Sequence, residues 1–305
     1  MAQLSDNMRG ALLMTGAMAA FTFNDACMKA LGVHIPLFQA LVLRGLGTTI
    51  LLLILARRMG QLRFDLSRED WTLIAIRTAA EAGAAWLFLT ALNNMSIASV
   101  SAILQSLPLT VTLASAMFLG EVVGWRRLLA IMIGFGGVLL IVKPGTDAFT
   151  IHSLYALGSV ICVTIRDVVV RKISKSVPSL VVSLAAAIGV TLFSAAGAAF
   201  VQWQPMGLLP SLQLIGATLF VVAGYILSVS SMRVGEIGFV APFRYTSLLV
   251  ALILGVVVFG SFPDLLTLIG AAIVVATGVF TLLREWQLRQ AGRRSAPPPR
   301  PVARL

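Results

Sequence analysis

Charge is what this sequence has least of. Only 11% of its 305 residues are Asp, Glu, Lys or Arg, while 58% are hydrophobic and the mean hydropathy is +0.95. A water-soluble domain carries about a quarter charged residues, so this composition excludes one. Cysteine is nearly absent: Cys27 and Cys162 lie in apolar stretches with no CxxC spacing and no neighbouring His. Disulfide, redox and metal roles therefore have no residues to carry them. The two histidines, His34 and His152, sit at segment edges, where a solvated imidazole is the ordinary reading. HExxH, GxSxG and GxxxxGK(S/T) stretches are missing. That leaves no catalytic residue, metal site or cofactor to name, and no nucleotide site for an ATP-driven pump.

Acid is scarcer than base, 12 residues against 23, for a net charge of +11. The bases do not form the aromatic-interleaved patch that nucleic acid requires. They cluster at the ends of apolar runs, the pattern of membrane topology. Ten runs near the roughly 20 residues of a membrane span can be marked: 10–31, 36–56, 71–92, 97–118, 126–142, 152–173, 179–200, 208–232, 238–260 and 264–283. The fold class is therefore all-α integral membrane, ten transmembrane helices. The first run continues through Asp25 and Lys29, so it reads as a span and not a cleaved signal. With both termini on one side, that side collects Arg57, Arg58, Arg63, Arg68, Arg126, Arg127, Arg171, Lys172, Lys175 and Arg233. The rule that Lys- and Arg-rich loops stay inside makes both termini cytoplasmic.

The chain also repeats itself. Gly16, Thr22, Asp25 and Lys29 return 142 residues later as Gly158, Thr164, Asp167 and Arg171, and Pro36/Pro178 and Gly47/Gly189 keep that offset. Gly120/Gly260 give 140. Two repeats follow, 9–142 and 152–284, with a basic, Pro-rich tail at 285–305 expected to be disordered and able to touch anionic lipid. Five spans per repeat invert the second copy in the membrane, an arrangement typical of secondary transporters. Pro108 and Pro242 should kink the fourth and ninth spans at positions that do not match between repeats.

Ionisable groups at membrane depth are costly and tend to mark pathways. Asp25–Lys29 and Asp167–Arg171 are i, i+4 pairs that share a helix face and can neutralise themselves; interfacial snorkelling is the competing reading. Arg77–Glu81 has the same spacing and could be an internal lock. Arg44 and Arg244 have no acid one turn away and are candidates to contact a solute. Tyr225 and Tyr245 could stack on a ring or simply pack. Gln105, Asn24 and Arg166 add polar groups at depth. Lys29, Arg44, Arg77, Arg166, Arg171 and Arg244 outnumber Asp25, Glu81 and Asp167, a bias that favours neutral or anionic solutes over cations. The acids are the groups at depth that could carry a proton if a proton or solute gradient drives transport.

The stretch Ala91–Glu121 (ALNNMSIASVSAILQSLPLTVTLASAMFLGE), the run Gly136–Gly145 (GGVLLIVKPG) and Ala241–Gly260 (APFRYTSLLVALILGVVVFG) resemble the drug/metabolite transporter superfamily, in its ten-helix form with two EamA-type repeats. The resemblance spans about residues 9–284. One departure is Ser261 after Gly260, where the second repeat often has Glu, so Glu121 reads as a cytoplasmic cap without a symmetric partner. The resemblance implies ATP-independent movement of a small solute across a bacterial inner membrane, without cofactor; oligomeric state is not implied. The APFRYTSLL flavour is similar to transporters of riboflavin or S-adenosylmethionine, and the charge count favours riboflavin uptake. The alternatives are export of amino acids or related metabolites, S-adenosylmethionine transport and, in a different class, a membrane-embedded enzyme.

Overall fold

The computed structural model describes residues 6–62, 65–120, 123–146, 149–174, 176–234 and 237–295, without the side chains of 229, 232, 233, 237, 238, 285 and 288–295. Arg63, Glu121, Lys175 and the prolines 297–299 lie outside the described residues, as do the side chains of Arg233, Arg289, Arg293 and Arg294. Among the described residues all regular structure is helical: α1 (Asp6–Leu31), α2 (Leu37–Arg58), α3 (Arg68–Asn94), α4 (Ile97–Leu104), α5 (Leu107–Leu119), α6 (Trp125–Val142), α7 (Ile151–Val170), α8 (Ser179–Ala198), α9 (Leu208–Val234), α10 (Ile237–Val240), a 3-10 turn (Ala241–Tyr245), α11 (Thr246–Val257) and α12 (Leu265–Ser295). Nine helical stretches are long and apolar enough to span a bilayer, with α4 and α5 counted as one, and Ala241–Val257 is a shorter apolar tenth. Side chains such as Leu192, Leu249 and Ile253 are left exposed on the outside of the bundle, as lipid requires.

Helix ends follow local chemistry. Ser67 accepts the Asp70 N–H at 3.0 Å to cap α3, and Ser96 does the same for Ser99 at the start of α4. Such caps satisfy backbone donors that a helix start leaves open. Asp70 also accepts the Ser174 N–H at 2.9 Å, tying the chain after α7 to the start of α3.

The packing carries the repeat. α1 lies against α9 and α7 against α3, while α2 pairs with α8 and α6 with α12. Exchanging the two halves leaves this pattern unchanged. The correspondence holds residue by residue. A Cβ on Gly16 would meet Leu227 at 3.5 Å, and one on Gly158 would meet Leu87 at 3.2 Å. Gly47 faces Thr218, and Gly189 faces Thr78. Small residues allow such close approach where lipid supplies no hydrophobic drive. Backbone meets backbone where α6 crosses α12, a Cβ on Gly137 lying 2.8 Å from the Gly270 carbonyl.

The interruptions of the fourth and ninth spans differ from expectation. Pro108 and Pro242 occupy unmatched positions, yet the breaks coincide: α5 restarts at Leu107 and α11 at Thr246, 139 residues apart. Both spans then approach a left-handed glycine, Gly120 (φ 68°) and Gly260 (φ 58°). Each proline lies in the first turn of the segment it starts, where its missing N–H costs no helix bond. Pro108 thus follows the break in its span, whereas Pro242 opens the 3-10 turn and precedes the restart of α11. Gln105 Nε2 donates to Ser247 Oγ at 2.8 Å, joining the two breaks. A second correction concerns the C-terminal end. The tail was expected from 285, but α12 continues to Ser295.

Candidate functional site

The polar side chains at membrane depth converge from α1, α2, α3, α7, α9 and the 3-10 turn. Side by side at the middle are Glu81 and Arg166. Arg166 Nη1 donates to both Glu81 oxygens at 3.2 Å, and its Nε donates to Asp167 Oδ1 at 2.9 Å. Arg77 Nη2 is 3.7 Å from Glu81 Oε2, and Arg77 Nη1 donates to the Val182 carbonyl at 3.4 Å. On the α1 side, Asn24 Nδ2 donates to Asp25 Oδ1 at 2.9 Å, and Arg44 Nη1 donates to Asn24 Oδ1 at 3.2 Å. Tyr225, held edge-on to Phe21 with centroids 5.4 Å apart, lies within electrostatic reach of Glu81, Arg166, Arg77 and Arg44.

Arg44, Thr48, Arg77, Glu81, Ser183 and Tyr225 line a cavity of about 70 Å³. At roughly 30 Å³ of liquid volume per molecule it would hold two waters. Pockets for metabolites run to about 300–1,000 Å³, so a solute requires the helices around this cavity to separate. Arg77, one of the lining residues, has its Nε buried without a hydrogen-bond partner among the described residues.

The candidates named from sequence divide clearly. Arg44, Arg77, Glu81 and Tyr225 line the cavity. Asp25 and Asp167 sit two hydrogen bonds from the residues that build it, Asp25 through Asn24 to Arg44 and Asp167 through Arg166 to Glu81. Arg244 is exposed and within electrostatic range of Asp167 and Arg166. Gln105 bridges the two helix breaks. Tyr245 is buried against α12, with its hydroxyl beside Gly278, and does not line the cavity. The two i, i+4 pairs do not form as expected. Lys29 Nζ turns away from Asp25 to the Leu92 and Met95 carbonyls at the end of α3, above the Phe259 ring. Those carbonyls have no helical partner, so an ammonium gains more there than from a carboxylate on its own helix. Asp167 bonds to its neighbour Arg166, and Arg171 Nη1 donates to Ser115 Oγ at 3.0 Å.

This changes the charge balance. With Lys29 and Arg171 drawn elsewhere, the cluster holds Arg44, Arg77, Arg166 and Arg244 against Asp25, Glu81 and Asp167. The surplus falls from three to one, and the expected bias against cations largely disappears. Arg166 is the residue sequence reasoning undervalued. Its signal was present in the register, because Asn24–Asp25 and Arg166–Asp167 are repeat equivalents at the 142-residue offset.

The sequence model of the EamA-like transporter family matches residues 8–143 and again 150–283. The chain belongs to the EamA-like transporter family. It is similar to a riboflavin transporter of Vibrio cholerae, 28% identical over 292 residues, covering 94% of this chain and 96% of the relative. It is also similar to an S-adenosylmethionine uptake transporter of Rickettsia felis, 24% identical over 263 residues, covering 86% and 88%. A solved crystal structure superposes with a TM-score of 0.65 at 17% identity over 92% of this chain and 98% of the other, a likeness of fold. The EamA protein is thus a multi-pass membrane transporter of small solutes, and the polar cavity is its candidate pathway.

Proposed function

We propose that this EamA protein imports a neutral, polar, ring-bearing metabolite, riboflavin first among those to test. The observation that carries this reading is the nearly balanced cluster around the cavity. Four guanidinium groups and three carboxylates largely neutralise one another, leaving donors such as Arg77 Nε for hydrogen bonds to a polar solute. Tyr225 supplies an aromatic ring at the same place. The relative from Vibrio cholerae, matched almost end to end, carries the riboflavin name. Transport would proceed by alternating access, the two inverted repeats rocking about the cavity, with energy drawn from an ion or solute gradient. Arg57 and Arg58 at the end of α2 and Arg126 at the start of α6 are consistent with cytoplasmic termini in a bacterial inner membrane.

A second reading is S-adenosylmethionine uptake. It is favoured by Asp25, Glu81 and Asp167 converging on one region, since carboxylates suit a sulfonium cation. Uptake of labelled riboflavin into cells unable to make it, with unlabelled S-adenosylmethionine as competitor, separates the two. Saturable uptake that S-adenosylmethionine leaves alone supports the flavin reading. Absence of uptake from well-expressed protein rejects it, and labelled S-adenosylmethionine then becomes the test substrate.

A further inference from the structure

The two repeats build one motif twice and then make it unequal. In each, the residue before a deeply placed aspartate donates to that aspartate's Oδ1 at 2.9 Å: Asn24 to Asp25 and Arg166 to Asp167. The donor is charged in the second repeat and neutral in the first. Asp167 is therefore neutralised in place by a guanidinium that also grips Glu81. Asp25 has only an amide. Arg44, the cation acting on it from α2, directs Nη1 to Asn24 Oδ1. The base on its own helix, Lys29, is turned to the end of α3. No ion pair within 4 Å reaches Asp25 among the described residues.

We infer that Asp25 is the site where a co-transported proton binds. Arg44 from α2 acts on it, and Tyr225 from α9 lies within electrostatic reach of Arg44. Glu81 and Arg77 on α3 lie beyond Arg44, and Arg244 of the 3-10 turn is directed at Asp167. A hydronium ion arriving through the open cavity transfers its proton to a carboxylate oxygen of Asp25, forming an O–H bond and leaving water. The loss of negative charge weakens the hold on Arg44, whose guanidinium then turns to the solute. Proton and solute thereby favour each other's binding, the reciprocity that coupling requires. A carboxylate and one amide offer too few oxygens for Na⁺, whereas a proton needs one. The inference rests on the chain being a gradient-driven importer, and it does not depend on the solute being riboflavin.

Two readouts test it. In proteoliposomes with an acidic exterior, one pH unit can drive up to about tenfold accumulation for one proton per solute. Labelled riboflavin should accumulate in the wild type. In Asp25→Asn the ratio of uptake with and without the gradient should fall to one, while residual uptake by Asp167→Asn should keep its gradient dependence. Gradient dependence that survives in Asp25→Asn overturns the inference. The second readout needs no solute: infrared difference spectra of the purified protein across a pH titration should contain a protonated-carboxyl band that Asp25→Asn removes and Asp167→Asn retains. If riboflavin is not transported at all, this band decides the matter. Its persistence in Asp25→Asn, or its absence from the wild type, refutes the site.

Discussion

Replacing Glu81 by leucine should be the most damaging single change in the cluster. Glu81 accepts both Arg166 Nη1 contacts at 3.2 Å and faces Arg77 at 3.7 Å. Its removal leaves two guanidinium groups at membrane depth without their shared carboxylate, since among the described residues Arg166 retains Asp167 and Arg77 the Val182 carbonyl. Breaking a buried pair costs about 3–5 kcal/mol. The side chains of Glu81 and Arg166 keep 17% and 26% exposure, so the lower end, about 3 kcal/mol, is the appropriate magnitude. The double variant Glu81→Leu/Arg166→Met removes both charges and frees Asp167 to face Arg244. It should therefore lose less than the sum of the single variants, with a coupling of roughly 1–3 kcal/mol. Reversible unfolding of the detergent-solubilised protein with a denaturing surfactant measures all three. Strict additivity, or a Glu81→Leu variant as stable as wild type, would refute the network as drawn.

Other consequences are separate. Gly278→Ala should destabilise by about 1–3 kcal/mol, because its methyl would strike the Tyr245 hydroxyl, and Tyr245→Phe should recover part of that loss without reducing transport. Lys29→Met should cost about 1.5–3 kcal/mol by uncapping the Leu92 and Met95 carbonyls, while the solute concentration giving half-maximal uptake stays unchanged. At the far end of the bundle, the hydrogen bond from Lys143 holds the Asp264 carboxyl down to about 2, helped by the Thr267 N–H and hydroxyl. A depressed carboxylate stabilises the fold above its ordinary range and loses that contribution as pH falls from about 4 to 2. Exposure of Asp264 keeps the effect under about 1 kcal/mol. Asp264→Asn should flatten the pH dependence of unfolding in that window.

The helices and the repeat were legible because apolar runs and glycine register are local and periodic. The glycine register returns in the packing, where Gly47 against Thr218 mirrors Gly189 against Thr78. Side-chain pairing was less legible, because spacing on one helix says nothing about competitors on others. Lys29 chose carbonyls on α3, and Arg171 chose Ser115 on α5. A charge count taken along the sequence therefore overstated the positive bias of the cavity. The sequence left Tyr245 open between stacking and packing for a related reason: whether an aromatic ring faces a cavity or a glycine depends on the rotation set by the 3-10 turn, which Pro242 alone does not disclose.

If the solute crosses through the cavity lined by Arg44, Arg77, Glu81 and Tyr225, a reporter placed there must sense it. The most direct measurement places one cysteine there, Ser183→Cys, in a chain whose Cys27 and Cys162 are replaced by alanine. A water-soluble thiol reagent is then added to cells with and without riboflavin. Ser183→Cys should react as the cavity opens in turn, and riboflavin should slow the reaction in a saturable way. A cysteine there that never reacts, or one that reacts at the same rate with saturating riboflavin in cells that accumulate it, would rule out passage through this cavity.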